Sequence, residues 1–262
     1  GEIEVVVEEL ELLSDTAKTL PFEIDESKKV AEDVRLKYRF LDLRNPKVHE
    51  KIVMRSKAFN FLRNKMMELG FLEITTPIIT SSSPEGARDF IIPSRKHKGK
   101  FYALPQAPQQ FKQLLMASGF DKYFQLAPCF RDEDARADRT LEFYQLDMEM
   151  SFVEEDEVLE VGESIFYDTF TKFSNKEVSK PPFRRIAYRD AMEMYGSDKP
   201  DLRNPLIIQD GTILFANTEF NAFKGKTVKI IIVPNGASQG RKFFDGMDTF
   251  AKEEAGAKGL AW

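Results

Sequence analysis

Residues 141–152 carry, on one face of a predicted strand, the side chains best suited to chemistry. Apolar side chains alternate with a second set, which shares the other face: Phe143, Gln145, Asp147, Glu149 and Ser151. A solvated sheet face is the ordinary explanation, but such faces favour threonine and lysine. An aromatic ring, an amide and two carboxylates instead suit a floor for a polar, ring-bearing ligand. Phe143 can stack on a ring, and the carboxylates can accept from an amine or hold a metal ion.

Cationic and amide side chains accompany this strand. Arg131 follows a predicted strand at residues 122–130, where its guanidinium could pair with a phosphate through two hydrogen bonds. Gln109 and Lys112 lie three residues apart near the positive end of a helix whose first residue is expected to be Pro108. This pair suits an anion, although two solvated polar residues explain it equally well.

A polar loop at residues 81–90 precedes these elements. It contains proline and glycine together with Glu85, Arg88 and Asp89. Most such loops only connect elements, but a mobile loop with these charges could also close over a polar ligand.

The elements that must position these residues follow from periodicity and capping signals. Two strands joined by about ten residues predict an antiparallel hairpin. A long helix is predicted at residues 45–69, with Asn45 as N-cap and Gly70 just beyond its end, followed by a strand at 71–76 that Pro77 stops. Residues 1–13 are rich in strand formers and are interpreted as the last strand of a preceding β-domain.

Composition narrows the function classes. The chain has 262 residues, 38 Lys and Arg against 43 Asp and Glu, a net charge of −5, one Cys and two His. The 42% of apolar residues argues against disorder, and no stretch of about 18 residues is free of charge, which argues against a membrane span. A disulfide scaffold or zinc cluster is also excluded, so we expect a cytoplasmic protein.

Because the net charge is −5, any basic surface must be confined to a small part of the protein. Residues 35–44 hold four Lys or Arg side chains interleaved with apolar ones. This segment is either a helix face with snorkelling side chains or a patch that faces nucleic acid.

Several motifs together resemble the class II aminoacyl-tRNA synthetases. The run Phe130-Arg131-Asp132-Glu133, with residues 142–149, is similar to motif 2, and residues 70–77 are similar to motif 1. Residues 84–90, 104–115 and 195–205 resemble the bacterial-type aspartyl-tRNA synthetases. The likeness extends from about Arg35 almost to the end of the chain, in order and without large gaps.

This resemblance implies an α+β fold: an incomplete class II antiparallel sheet flanked by helices, with the start of a small α/β insertion domain. The implied divisions are residues 1–25, the end of an anticodon-binding domain and linker; 26–205, the first part of the catalytic domain; and 206–262, part of the insertion domain. Motif 3 and the usual Mg²⁺-binding acids would lie C-terminal to these residues, so we expect the chain to be shortened at both ends.

The implied activity joins L-aspartate to ATP and then transfers the aspartyl group to the 3′ end of tRNA(Asp). Arg131 would be catalytic at the α-phosphate, and the nucleotide would also contact Glu133, Phe143 and Gln145. Lys112, held by Asp147, would bind the substrate's side-chain carboxylate, while Glu85 and Gln109 would receive its amino group.

The remaining implied contacts concern macromolecules and metal. The tRNA acceptor end would approach Arg136 and Arg139, and Pro77 would lie in a homodimer interface. Mg²⁺ would accompany ATP, with metal ligands mainly outside this chain and none assigned within it. No membrane association is implied.

Three alternatives remain open. An asparaginyl or lysyl synthetase shares the hairpin, but residues 85–90 argue against it. A non-catalytic module that binds RNA or a protein partner is disfavoured because it would not need Arg131, Lys112 and Glu149 together. A purely structural α+β domain with a charged hairpin is the third.

The purified 262-residue chain is expected not to catalyse aspartate-dependent ATP–pyrophosphate exchange, because the resemblance places half of the ATP site outside it. Radiolabelled pyrophosphate incorporated into ATP, with and without aspartate, measures this directly. Aspartate-dependent exchange above that of a protein-free control contradicts the expectation.

Overall fold

The computed structural model describes residues 3–4, 6–15, 19–83 and 85–262, which combine helices with small sheets as predicted. The chain divides into two compact units, one ending at Phe183 and one beginning at Arg184. The predicted domain limits at residues 25 and 205 do not coincide with this division and stay predictions.

The first unit contains five helices and five strands among its described residues. In chain order they are α1 (Glu32–Lys37), α2 (Arg39–Asp42), α3 (Pro46–Glu68), β1 (Leu72–Glu73), β2 (Ile91–Pro93), β3 (Phe101–Ala103), α4 (Gln109–Ala117), β4 (Lys122–Phe130), β5 (Glu142–Met150) and α5 (Glu155–Phe173).

The strand predicted within residues 1–13 is wrong for the part that can be assessed. Residues 3–4 and 6–13 form neither helix nor strand and are exposed. Strand-forming side chains are not sufficient here, because a strand is stable only when neighbouring strands satisfy its backbone hydrogen bonds.

Helix α3 begins and ends as its sequence predicts. The Asn45 side chain caps it by accepting a hydrogen bond from the Lys47 amide at 3.1 Å. Gly70 has a φ of +84°, and the Phe71 amide donates back to the Met66 carbonyl at 3.0 Å. This reversal packs Phe71 against Met66 in the core cluster, which also contains Phe124 and Ile165.

The predicted hairpin is confirmed. Strand β4 pairs with β5 in an antiparallel register along its whole length, from Lys122 opposite Met150 to Phe130 opposite Glu142. Strand β1 joins the other edge of β4 in parallel, so the sheet order is β1–β4–β5. Helices α3 and α5 pack on each other, and residues from both contribute to the core cluster beside this sheet. The core thus supports one side of the hairpin.

A second hairpin, β2–β3, extends from the polar loop. Ile91 pairs with Ala103, and the Leu104 amide donates to the Phe90 carbonyl at 2.9 Å. These bonds bring the loop at residues 81–90 next to the segment that leads into α4.

The second unit contains α6 (Tyr188–Tyr195), the antiparallel strands β6 (Ile208–Asp210) and β7 (Lys229–Ile231), and α7 (Arg241–Glu253). Among the helices described for both units, none is long and apolar enough to cross a membrane.

The basic segment at residues 35–44 surrounds a buried carboxylate. Asp42 is fully buried and accepts hydrogen bonds from Arg35, at 3.1 and 3.3 Å, and from Arg39. Two of the four cations therefore serve an internal ion pair, which weakens the interpretation of this segment as a nucleic-acid patch. The hydrogen bond from Arg35 is the main reason that the pKa of Asp42 is lowered.

Replacing Asp42 with asparagine should destabilise the chain by about 1–3 kcal/mol near neutral pH, because a charge-assisted pair is lost. A carboxyl whose pKa is lowered by folding contributes stability above its unfolded pKa of about 3.9, and this contribution is lost as the pH falls through the folded pKa. Thermal denaturation followed by circular dichroism from neutral to acidic pH should therefore show a shallower acid-induced loss in Asp42→Asn than in the parent. The exposed Asp33→Asn is the matched control, and identical pH profiles for parent and Asp42→Asn would refute the pair's contribution.

Candidate functional site

The polar face of the β4–β5 hairpin forms the floor of the candidate site. The register places Phe143 opposite Cys129, and Asp147 opposite Gln125. Directly opposed residues share a face of the sheet, so the polar side chains of β5 lie above a row of buried β4 residues. The predicted grouping of these side chains follows from this pairing.

Lys112 supplies a positive charge between two carboxylates of this floor. Its ammonium nitrogen lies 2.9 Å from Asp147 Oδ1 and 3.2 Å from Glu149 Oε2, and only 12% of its side chain is exposed. Burial by itself lowers the pKa of Lys112, but the hydrogen bonds and charges of the two carboxylates outweigh burial and raise that pKa. Lys112 is therefore a buried cation at neutral pH.

Helix α4 presents Lys112 to the hairpin. Its first residue is Gln109, so Pro108 occupies the N-cap rather than the first helical position that the sequence predicted. Pro108 has a ψ of 28°, outside the helical range, which moves the start by one residue. Gln109 and Lys112 still lie one turn apart, and both are partly buried.

Arg131 lies at the other end of the floor. Its guanidinium carbon is 5.1 Å from the centre of the Phe143 ring, a cation–π contact. The Nε of Arg131 and the Oδ2 of Asp147 are buried without a hydrogen-bond partner among the described residues. Buried polar atoms of this kind are uncommon, and one donor and one acceptor on the same floor are suited to a ligand with both kinds of group.

The Cys129 thiol is buried on the same face of the hairpin, opposite Phe143. Burial raises the pKa of Cys129 to about 11, with Arg131 opposing the shift and Asp147 and Glu85 adding to it. The polar loop meets the hairpin through its backbone, since the Asp132 amide donates to the Arg88 carbonyl at 2.9 Å. The Cys129 thiol also donates to Gln145 Oε1 at 3.3 Å.

The buried Tyr123 hydroxyl lies below the same ion pair. Burial, followed by the negative charge of Asp147, raises the pKa of Tyr123. It is therefore a neutral phenol under any ordinary condition.

Glu85 lies on the polar loop at residues 81–90. It accepts a hydrogen bond from Ser83 Oγ at 3.2 Å and lines a small cavity together with Asp89 and Gln106. Gln106 is a residue that the sequence reasoning missed. The available signal was an amide inside the otherwise apolar run of residues 104–108, where a polar side chain requires internal partners.

Four further predicted site residues are exposed. Glu133, Arg136 and Arg139 are exposed on the loop that joins β4 to β5. The Arg136 and Arg139 backbones pair with each other, at 3.0 and 3.1 Å, and close the tip of the loop. Pro77 is exposed just after β1, next to the exposed side chains of Ile78 and Ile79.

The part of the chain that the structure describes contains no cluster of side chains arranged as metal ligands. No group of three or more His, Cys, Asp or Glu side chains there is arranged to hold a metal ion. Asp147 and Glu149, the best-placed carboxylates, both bind Lys112.

Comparison with known proteins agrees with the motifs. A family model described as tRNA synthetases class II (D, K and N) matches residues 31–254. The aspartate–tRNA(Asp/Asn) ligase of Pelagibacter ubique is 57% identical over 270 residues, and the aspartate–tRNA ligase of Streptomyces avermitilis is 57% identical over 263 residues. Each alignment covers 100% of this chain but only 45% and 44% of those relatives. The chain therefore spans less than half the length of the curated relatives it matches.

A solved structure supports the fold. A protein from Leishmania major Friedlin, assigned as an aspartyl-tRNA synthetase, has a TM-score of 0.55 and 28% sequence identity to this chain. The match covers 62% of this chain and 32% of that chain. The predicted class II-like α+β fold is thus confirmed.

Lys112→Met should remove the cation but keep most of the side-chain volume, leaving Asp147 and Glu149 unpaired. We expect the affinity for a non-hydrolysable aspartyl-adenylate mimic to fall by about a hundredfold or more, and the affinity for ATP to change far less. Isothermal titration of both ligands measures the difference, with the exposed Lys57→Met as control. Equal loss of both ligands in a folded Lys112→Met chain would remove the predicted role of this lysine.

Proposed function

Because the chain belongs to the class II tRNA synthetases of the aspartate, lysine and asparagine group, we propose that it supplies the aspartate site and part of the ATP site of an aspartate–tRNA ligase. In the proposed reaction, an oxygen of the α-carboxylate of aspartate attacks the α-phosphorus of ATP, and pyrophosphate leaves. The 3′-terminal ribose hydroxyl of tRNA(Asp) then attacks the aspartyl carbonyl, and AMP leaves.

The observation that carries this proposal is the buried Lys112 ammonium between two carboxylates. The Asp147 side chain is 10% exposed and lies 2.9 Å from Lys112, whereas Glu149 is 33% exposed and lies 3.2 Å away. Asp147 is thus the fixed partner, and the more exposed Glu149 is the partner that a ligand carboxylate can replace. In this arrangement Lys112 binds the side-chain carboxylate of aspartate while Asp147 holds the ammonium in place.

The same arrangement separates aspartate from asparagine, which have nearly the same shape. An amide in place of the carboxylate removes the negative charge that Lys112 needs once Glu149 is displaced. A site that leaves a buried polar group unpaired can reject the wrong ligand by about 10⁴-fold. At the other end of the substrate, Glu85 and Gln109 would receive the α-amino group.

Arg131 is proposed to bind the α-phosphate. Its unpartnered Nε is a donor in a buried position, and negative charge develops on the phosphate during attack. Positioning and charge stabilisation of this kind are the main means by which an enzyme accelerates such a transfer. Phe143 would stack on the adenine, with Gln145 and Glu133 contacting the nucleotide.

Mg²⁺ would enter with ATP, but the described residues contain no group of three or more His, Cys, Asp or Glu side chains that could hold it. We therefore assign the metal no ligand in this chain. The exposed Arg136 and Arg139 would contact the tRNA acceptor end, and exposed Pro77 would contribute to a homodimer interface. Cytoplasmic localisation is part of the same proposal.

Isothermal titration with matched non-hydrolysable aspartyl- and asparaginyl-adenylate mimics tests the proposed function. The chain should bind the aspartyl form at least about a hundredfold more tightly, because only that form satisfies Lys112. Arg131→Gln should weaken both mimics to a similar extent, since the phosphate is common to them. Failure to bind either mimic, or equal binding of the two, would contradict the proposed specificity.

A further inference from the structure

Gln106 is a buried amide whose hydrogen bonds all go to the polar loop. It is 3% exposed. Its Oε1 accepts from the Ala87 amide at 3.1 Å, and its Nε2 donates to the Ala87 carbonyl at 2.9 Å. The same Nε2 is also within reach of the Ser83 carbonyl at 3.5 Å and of Asp89 Oδ1. The side chain thus pairs with the loop as a neighbouring strand would.

The segment that carries Gln106 is fixed to the hairpin. The Phe130 amide, at the end of β4, donates to the carbonyl of Pro105 at 2.9 Å. Three residues after Gln106, the chain enters α4, which presents Lys112. Gln106 therefore stands between the floor of the site and the loop that carries Glu85.

The loop has a second attachment to the hairpin. The Asp132 amide donates to the Arg88 carbonyl at 2.9 Å, and Arg88 Nε donates to the Asp132 carbonyl at 3.0 Å. Arg88 and Asp132 are both exposed, so water competes for these bonds. Gln106 is a buried attachment of the loop, where water does not compete for its hydrogen bonds.

We propose that Gln106 is a positioning residue, whose amide holds residues 85–89 so that Glu85 faces the aspartate site. This inference rests on the proposed function. Gln106 acts through the loop, since its hydrogen-bonding groups are occupied by Ala87, Ser83 and Asp89. Its loss would leave the floor, Lys112 and Arg131 in place, but free the loop that brings the acceptor for the substrate's amino group.

The test uses Gln106→Met, which keeps the side-chain length and removes every hydrogen bond, with the exposed Gln113→Met on α4 as its matched control. Hydrogen exchange at the Ala87 amide should accelerate by about tenfold or more in Gln106→Met, because this amide loses its acceptor. Exchange in β4 and β5 should stay unchanged. Affinity for the aspartyl-adenylate mimic should fall by about tenfold or more, while affinity for ATP alone changes little.

A second pair of variants separates positioning from general destabilisation. Gln106→Glu places a carboxylate against Asp89 and the Ala87 carbonyl, and should weaken the mimic at least as much as Gln106→Met does. Adding Asp89→Asn restores a donor–acceptor pair between the two positions and should recover part of the lost affinity. Thermal unfolding of each variant, followed by circular dichroism, is the control: affinity that recovers while the unfolding midpoints stay equal reflects loop position rather than folding.

Two kinds of result would contradict different parts of this proposal. Unchanged exchange at Ala87 in Gln106→Met, or an equal loss of mimic and ATP affinity, would overturn the positioning role. An unsubstituted chain that binds no aspartyl-adenylate mimic would contradict the proposed function instead. In that case the Ala87 exchange rates alone decide whether Gln106 holds the loop.

Discussion

The buried ammonium of Lys112 is the constraint on which the rest of the site depends. Asp147 and Glu149 lie two residues apart on one face of β5, so their charges repel each other unless a cation lies between them. Taking a carboxylate out of water without a partner is costly, and the pair can be partly buried only because α4 supplies the ammonium. The position of α4, the register of β5 and the charges of these three residues therefore depend on one another.

The hairpin and the long helix could be predicted from sequence because their signals are local. Alternation with a period of two defines β5 and its polar face, and the caps Asn45 and Gly70 define α3. The contact between Lys112 and Asp147 is different, because 35 positions separate the two residues. No spacing rule brings them together, and only the resemblance to a known family predicted that pair.

The predictions that were wrong have a shared physical cause. Residues 6–13 have strand-forming side chains but pair with no strand among the described residues. Pro108 is the N-cap of α4 because its ψ of 28° lies outside the helical range. For the basic segment at 35–44 the sequence left two interpretations open, and the binding of Arg35 and Arg39 to buried Asp42 weakens the one as a nucleic-acid patch. In these segments, contacts with residues distant in sequence, or their absence, determine the structure more than the local sequence does.

Two buried glutamines show how the fold holds segments that a short sheet cannot reach. Strand β1 ends at Glu73, yet the Thr76 amide donates to Gln125 Oε1 at 3.1 Å and Gln125 Nε2 donates to Thr76 Oγ1 at 2.7 Å. Gln106 accepts from the Ala87 amide and donates to the Ala87 carbonyl, so both of its partners there are backbone groups. Each amide offers one donor and one acceptor about as far apart as those of a peptide group, so it replaces a missing strand. A glutamate in either position would lose the donor, which explains why an amide, rather than a charge, occupies both.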